Sequence, residues 1–533
     1  MSSDDKHSIL RSSAVVSGYT ALSRLLGFAR EILMAVVFGT TLAKSAFDVA
    51  FRIPNLFRRL FGEGALSAAF IPVFSDALEQ DGMEGANRLA GRVLSMMALI
   101  LASIVAAVVA AVTIAIFIGV PDQRAMAVLR LLQIMFPYMF FICLVALCMA
   151  ILNTFRHFSV PAFTPALLNV VWILALVFVC PRLGDDPRRQ INGIAWGIIA
   201  AGVIQLAAQI PALLRVGIRP QFGLDWRDRR IRKMLTLMGP AALGMGILQV
   251  NVLVDGVLAL FVGEWAPATL TYAERLIYLP LGVFATALGT VLMPSFSRSA
   301  AKGDIEEIRQ TMGFALRSLF LVMIPAAAGL AALAFPIVEL AFKWEQGRFD
   351  SSSAVLTSRA LMFYAPGLVA FGAFKALAPA FYSMKDTLTP IKVGIPVVIL
   401  NFILNLTFIA TWPLGYRHAG LAMATVLASV VNCLCLGCIF HRKAGSPGWA
   451  EVFRKASLML SVALVMAFAV HFIHLFLRES LNPLAWPEKI AQLVSVGSSI
   501  VAGVAIYGAG IRVLCPGEFW TVSRIFARRL KRK

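Results

Sequence analysis

The stretch YTALSRLLGFAREILMAVVFG, residues 19–39, decides how the chain is read. It is mostly apolar and long enough to cross a bilayer, whose hydrocarbon core of about 30 Å takes roughly 20 helical residues. Yet it carries Arg24, Arg30 and Glu31. An arginine at the centre of a spanning helix costs about 2.5–3.5 kcal/mol on the insertion scale. Such charge is tolerated where it faces other protein or a water-filled cavity rather than lipid.

The rest of the chain supports a membrane setting. Of 533 residues, 59% are hydrophobic and 14% charged, with a mean hydropathy of +0.82; a soluble domain carries about 25% charged residues. About fourteen apolar segments of membrane length follow one another, joined by short polar connections. They are too long and too evenly apolar for the alternating strands of a membrane β-barrel. The reading is an all-α, multi-pass integral membrane protein. The start, MSSDDKHSIL, has mixed charge and no small-residue cleavage site, so the first helix is expected to stay.

The net charge is +20. In a membrane protein this reflects the cytoplasmic bias of Lys and Arg, so no nucleic-acid partner is inferred. The richest patches are RVGIRPQFGLDWRDRRIRK (215–233) and the tail RIFARRLKRK (524–533). With an even number of spans, both termini are expected on the cytoplasmic side, where these patches set topology and meet anionic headgroups. The cysteine-rich NCLCLGC (432–438) has no His or acidic neighbour and reads as small buried apolar residues. His471 and His474 end a late helix and read as interfacial. No P-loop, H-E-x-x-H or G-x-S-x-G appears, so the chain is not read as an enzyme or as directly driven by ATP.

An internal echo organises the chain. GALSAAFIPVFS (64–75) and TALGTVLMPSFS (286–297) share Ala, Leu, Pro, Phe and Ser in register, and Thr164-Pro165 answers Thr389-Pro390. The spacing implies two pseudo-symmetric six-helix lobes, a transporter design. The expected division is 1–220 and 221–445, with two extra helices and a basic tail over 446–533. Pro54 and Pro72 are candidate kinks.

Charge concentrates in few helices. Asp48, Arg52, Arg58, Arg59 and Glu63 share the second segment, and Glu274 and Arg275 lie in the eighth. Lys375 lies in the tenth. The i,i+4 pairs Asp48–Arg52 and Arg59–Glu63 can neutralise each other as packing between helices. Even if Glu31, Glu63 and Glu274 each neutralise a cation, arginines exceed carboxylates in the first lobe, and Arg24, Arg30, Arg58 and Arg275 are read as the cavity set. That surplus suits an aqueous cavity, and the planar guanidinium fork suits phosphate oxygens. Arg24 and Arg30 stand about 120° apart on an ideal helix, so a bend at Gly27 or extended side chains must bring them together. A second polar set, Asp255, Asn401, Asn405 and Thr425, offers oxygen ligands for a hard monovalent cation, or hydrogen bonds between helices.

SRLLGFAREILMAVVFG followed by FRIPNLFRRLFGEGALSAAFIPVFSD makes the chain resemble the MurJ (MviN) lipid II flippase family of the MOP exporter superfamily. The likeness continues through ILNTFRHFSVPAFTPALLN, YAERLIYLPLGVFATALGTVLMPSFS and LAPAFYSMKDTLTP. It implies two six-helix lobes around a central cationic cavity. Two terminal helices would form a groove for the lipid tail. The family's cavity arginines fall on Arg24, Arg30, Arg58 and Arg275, its motif carboxylate on Glu63, and the second arginine of its pair on Arg59. Some members are acidic where this chain has Ser45 and Tyr278; Asp48 lies nearly on the face of Ser45. Asp255, Asn401, Asn405 and Thr425 match the layout of sodium-binding members, with Asn405 where a carboxylate can stand; no other cofactor is implied. The implied cargo is lipid II, flipped to the periplasmic leaflet of the bacterial inner membrane, with membrane lipids and cell-wall synthesis proteins as partners. The rival reading is an exporter of another polyprenyl-diphosphate-linked saccharide, because the diphosphate would be common to both.

Overall fold

A computed structural model of the chain describes residues 3–62, 65–225, 227–481 and 486–520, and every regular element among them is helical. The chain forms two compact units, Met1–Ala268 with Gln346–Arg348, and Thr269–Glu345 with Phe349–Lys533. The first contains α1 (Ser3–Phe38), α2 (Leu42–Gly62), α3 (Ala65–Ile118), α4 (Gln123–Met135), α5 (Tyr138–Thr154), α6 (Ser159–Leu174), α7 (Pro187–Arg215) and α8 (Arg229–Val262). Helix α9 (Ala266–Pro280) begins in the first unit and runs into the second. The second continues with α10 (Thr286–Lys302), α11 (Ile305–Ala332), α12 (Ala334–Phe342), α13 (Ser351–Tyr364), α14 (Gly367–Ser383), α15 (Leu388–Thr411), α16 (Arg417–Ala444), α17 (Trp449–Leu481) and α18 (Glu488–Leu514). These units are defined by contact, whereas the lobes 1–220 and 221–445 are a division by sequence repeat.

Among the described residues, eight helices are long and apolar enough to cross a membrane, or ten if two bent pairs each form one span. The expected fourteen also counted α1, α2, α8 and the α9–α10 run, which fall outside that test. These are the helices that carry Arg24, Arg30, Asp48, Arg58, Asp255 and Arg275; of α8, the stretch Gln249–Val262 is apolar but short, and α9 has 15 residues. Helix starts are fixed by aspartates. Asp122, Asp186, Asp228, Asp304 and Asp350 accept backbone N–H groups at the starts of α4, α7, α8, α11 and α13, satisfying donors that have no partner within the helix.

The repeat is visible inside each unit. Helices α4 and α5 meet at a 45° bend before Tyr138, and α13 and α14 at a 46° bend before Gly367. Pro137 and Pro366 sit at these junctions, where the missing N–H interrupts the helical ladder. After α5, Arg156 takes φ +57° and His157 N donates to Leu152 O; after α14, Lys385 takes φ +59° and Asp386 N donates to Phe381 O. The same left-handed turn therefore closes the equivalent helix in both units. Pro54 and Pro72 lie within α2 and α3, but the non-helical break in α3 is at Gly82, φ +64°.

The core of the first unit is centred on α5, where Tyr138, Met139, Cys143, Val145, Leu147, Ile151 and Leu152 are buried. The basic loop after α7 is pinned to α3. Gln221 N donates to Asn87 O, Arg219 N to Asn87 Oδ1 and Gly223 N to Ser95 Oγ. Arg92 pairs with Asp225 and Asp228, and Arg230 with Asp81. Gly91 is required there, because a Cβ would stand 2.0 Å from Gln221 O. In the second unit, α17 packs on α11 through Met459, Ala463, Met466, Leu321 and Ile324. Gly503 and Gly510 let α18 approach Val470 and Val462, the small-residue packing usual between membrane helices.

The cysteine expectation is corrected in part. Cys433 Sγ lies against Ala370 O, but Cys435 and Cys438 are on the exposed face of α16. A lipid-facing surface and a protein core are equally apolar, so composition could not separate them. The tail 524–533 lies outside the described residues.

Candidate functional site

Arg30 sits on α1 and is 8% exposed. Its Nη2 donates to Glu31 Oε1 at 2.5 Å and its Nη1 to Asn169 Oδ1 at 2.9 Å on α6. Its guanidinium also stacks over Trp172, 4.1 Å from the ring centroid, a cation–π contact strengthened by desolvation. Trp172 is held edge-on by Phe47 and Phe51 of α2. Asn169 Nδ2 donates to Ser23 O, and a Cβ added at Gly27 would meet the Asn169 side chain at an ordinary 3.6 Å.

Lys44 on α2 is 1% exposed, and its Nζ lies 2.6 Å from both carboxylate oxygens of Asp48. It also lies 3.9 Å from Glu31 Oε2. Arg30, Glu31, Lys44 and Asp48 thus form one buried quartet of formal charge zero. Burying such charges is bearable only when each is paired and hydrogen-bonded. The expected Asp48–Arg52 pair does not form: the carboxylate turns one helical turn back, to Lys44. Arg52 Nη1 instead donates to Val252 O at 2.8 Å, packed over Gly256, where a Cβ would come within 2.6 Å. Arg59 Nη1 donates to Gln249 Oε1 at 3.2 Å. Two turns apart, Arg52 and Arg59 clamp one face of α2 to α8 through neutral acceptors. Glu63 lies outside the described residues.

The remaining arginines differ from Arg30. Arg24, six residues before it on the same helix, is exposed. The rotation anticipated between them is therefore real: Arg30 faces Asn169 and Trp172, and Arg24 faces away from that burial. Arg58 is partly buried and its Nε donates to Asn55 Oδ1 at 2.8 Å. Ser45 Oγ accepts from Ala268 N. In the second unit, Arg275 on α9 is exposed, beside Glu274, which accepts from Tyr278 Oη. Buried Tyr272, against Phe342 and Phe349, anchors that helix. Lys375 is exposed on α14.

Of the oxygen set, Asp255 belongs to the first unit and Asn401, Asn405 and Thr425 to the second. Asn401 and Asn405 are fully buried, and Asn405 Nδ2 donates to Asn401 Oδ1 at 3.0 Å. Thr425 Oγ1 donates to Leu421 O. The amide pair thus points its donor inward between the two residues, and the hydroxyl spends its hydrogen on the helix. Amide, hydroxyl and carboxylate oxygens are the ligand types that a hard cation takes.

Sequence reasoning missed Lys44, Asn169 and Trp172. Lys44 was legible, because it stands four residues before Asp48, the same spacing used for Arg52. Asn169 and Trp172 carried no local signal; only the packing of α6 on α1 brings them to Arg30.

The lipid II flippase MurJ family model matches residues 34–488. A lipid II flippase MurJ of Burkholderia cenocepacia is 35% identical over 477 residues, covering 87% of this chain and 90% of that one. A probable lipid II flippase MurJ of Vibrio cholerae is 35% identical over 438 residues, covering 80% and 81%. Among solved structures, a lipid II flippase MurJ in an inward closed conformation superposes with a TM-score of 0.75 at 23% identity, covering 94% of this chain and 98% of that one. An inward-facing MATE-family multidrug transporter of the MOP superfamily gives 0.66 at 14% identity, covering 80% and 98%. At these identities the superpositions speak for the fold.

Proposed function

This chain belongs to the MurJ lipid II flippase family, and from that premise we propose that it flips lipid II from the cytoplasmic to the periplasmic leaflet of the bacterial inner membrane. It is a multi-pass membrane protein whose task is transport rather than bond-making. The observation that carries the mechanism is the contrast among the arginines. Arg30 is neutralised within a buried quartet, while Arg24 and Arg275 are exposed in a chain otherwise built from apolar helices. Exposed guanidiniums within a membrane protein suit a wet cavity and an anionic cargo.

In this account Arg24, Arg58 and Arg275 meet the diphosphate of lipid II with their forked donors. Arg30, fixed by Glu31, Asn169 and Trp172, keeps α1 against α6. Arg59 and Arg52 brace α2 on α8, and Asp48 with Lys44 balances the quartet. Transport proceeds by alternating access, with the lipid tail outside the cavity along the terminal helices. Moving a headgroup outward is favoured by about 2.3 kcal/mol per negative charge per 100 mV, inside negative. Asn401, Asn405 and Thr425, with Asp255, would hold a sodium ion, which would supply a second gradient to the cycle. Both termini lie on the cytoplasmic side.

Depletion tests this reading. Cells losing the protein should accumulate lipid II on the inner leaflet, and the wild-type chain should clear it. Unchanged leaflet distribution after depletion would refute it.

A further inference from the structure

A cavity of about 310 Å³ opens in the first unit where α2, α4 and α7 begin. Its walls include Leu42 and Ala43 from the first turn of α2, Gln123 and Met126 from that of α4, and Arg188 and Ile191 from that of α7. Three helices thus begin at one space, and the starts of α4 and α7 are capped by the Asp122 and Asp186 carboxylates. Helix α7 runs from this cavity to Arg215, so the cavity lies at the opposite end of that helix from the basic loop.

Two guanidiniums, Arg130 and Arg188, line the same space together with the amides of Gln123 and Asn192. No carboxylate lines it. The aspartates adjacent in sequence are committed elsewhere: Asp122 accepts from Arg124 N and Asp186 from Arg188 N, each at 2.9 Å. Among the described residues, the four polar side chains make no hydrogen bond or ion pair with the protein. Arg124, one turn away, is already engaged by Leu260 O and Glu264. An exposed arginine is ordinarily just solvated. Here two of them and two amide side chains line one cavity that no carboxylate lines.

We infer that this cavity is a binding site for a phosphate group. Arg130 and Arg188 grip its oxygens as forked donors, and Gln123 and Asn192 complete the shell. Leu42, Val120, Met126 and Ile191 give the non-phosphate part of the ligand an apolar wall. A phospholipid headgroup and free inorganic phosphate share this chemistry. None of the lining residues belongs to the Arg30 quartet, so the inference does not rest on the flippase reading.

The test uses the full chain in neutral detergent, titrated calorimetrically with inorganic phosphate and, separately, with dihexanoyl phosphatidylglycerol. Both titrations are repeated in an Arg24→Ala/Arg275→Ala background, which separates this site from the proposed cargo cavity. Saturable one-site binding should persist in that background. It should weaken at least tenfold in Arg130→Gln/Arg188→Gln and stay unchanged in Arg182→Gln, an exposed arginine outside the cavity. Asn192→Asp, which adds a carboxylate while keeping both arginines, should also weaken it at least tenfold at an unchanged thermal midpoint. If the double variant fails to fold, Asn192→Asp decides. Binding of phosphate alone assigns a soluble ligand, and binding of the lipid assigns a headgroup. No saturable binding of either probe, or binding that survives the cavity variants, overturns the inference.

Discussion

Replacing Lys44 with methionine tests the buried quartet. Lys44 is 1% exposed and its Nζ lies 2.6 Å from both oxygens of Asp48 and 3.9 Å from Glu31. Methionine fills similar volume but removes the charge, so two carboxylates face one guanidinium. Breaking a buried pair by removing one partner costs about 3–5 kcal/mol. At about 1.4 kcal/mol per decade, the unfolding equilibrium should rise roughly 100- to 3,000-fold. The double variant Lys44→Met/Asp48→Leu removes both charges and should recover most of the loss, because an apolar pair of similar volume is often neutral or better. The assay is equilibrium denaturation in detergent of wild type, Lys44→Met, Asp48→Leu and the double variant, read as a cycle. Lys44→Met as stable as wild type, or a double variant no better than the worse single one, would refute the quartet as the support of Arg30.

Other outcomes follow from single contacts. Burial alone would raise the carboxyl of Asp386, in the turn before α15, but hydrogen bonds from Lys443, the Thr389 hydroxyl and Thr389 N hold it at about 2. Its folded value lies below the ordinary 3.9 or so. Its contribution is therefore complete above about pH 4 and lost as pH falls toward 2; Asp386→Asn should flatten that part of the acid-unfolding curve. Arg156→Gly and Lys385→Gly should each stabilise by about 0.5–1 kcal/mol, since glycine relieves the left-handed strain at φ +57° and +59° and gives part back in chain entropy; lower denaturant midpoints would contradict this. Gly91→Ala should push the loop from Gln221 off α3, destabilise by about 1–3 kcal/mol and speed hydrogen exchange over 217–225; unchanged exchange would contradict the close approach.

Much of the architecture is legible in the chain because helices in lipid must be long and apolar. The structure adds a correspondence that the sequence reading did not use: Pro137 and Pro366 bend a helix, and Arg156 and Lys385 end the next one. What escaped depended on partners distant in sequence. Nothing local in Trp172 or Asn169 announces Arg30, and nothing in Asp48 says whether it turns forward to Arg52 or back to Lys44. The helix-one arginines were rightly suspected of differing in direction, and burial separates them: Arg30 is enclosed and Arg24 is open. Cys435 and Cys438 show the converse limit, since apolar composition does not distinguish a core from a lipid-facing surface.

The central claim is that the exposed arginines Arg24 and Arg275 bind a diphosphate lipid as it crosses the membrane. Its most direct measurement is the movement of lipid II between leaflets of vesicles reconstituted with the full chain under an imposed potential, compared with Arg24→Ala/Arg275→Ala inserted at the same density. The account predicts transfer well above protein-free vesicles for the wild type and at least a tenfold loss in the variant. Transfer by the variant at the wild-type rate, or none by the wild type, would contradict it.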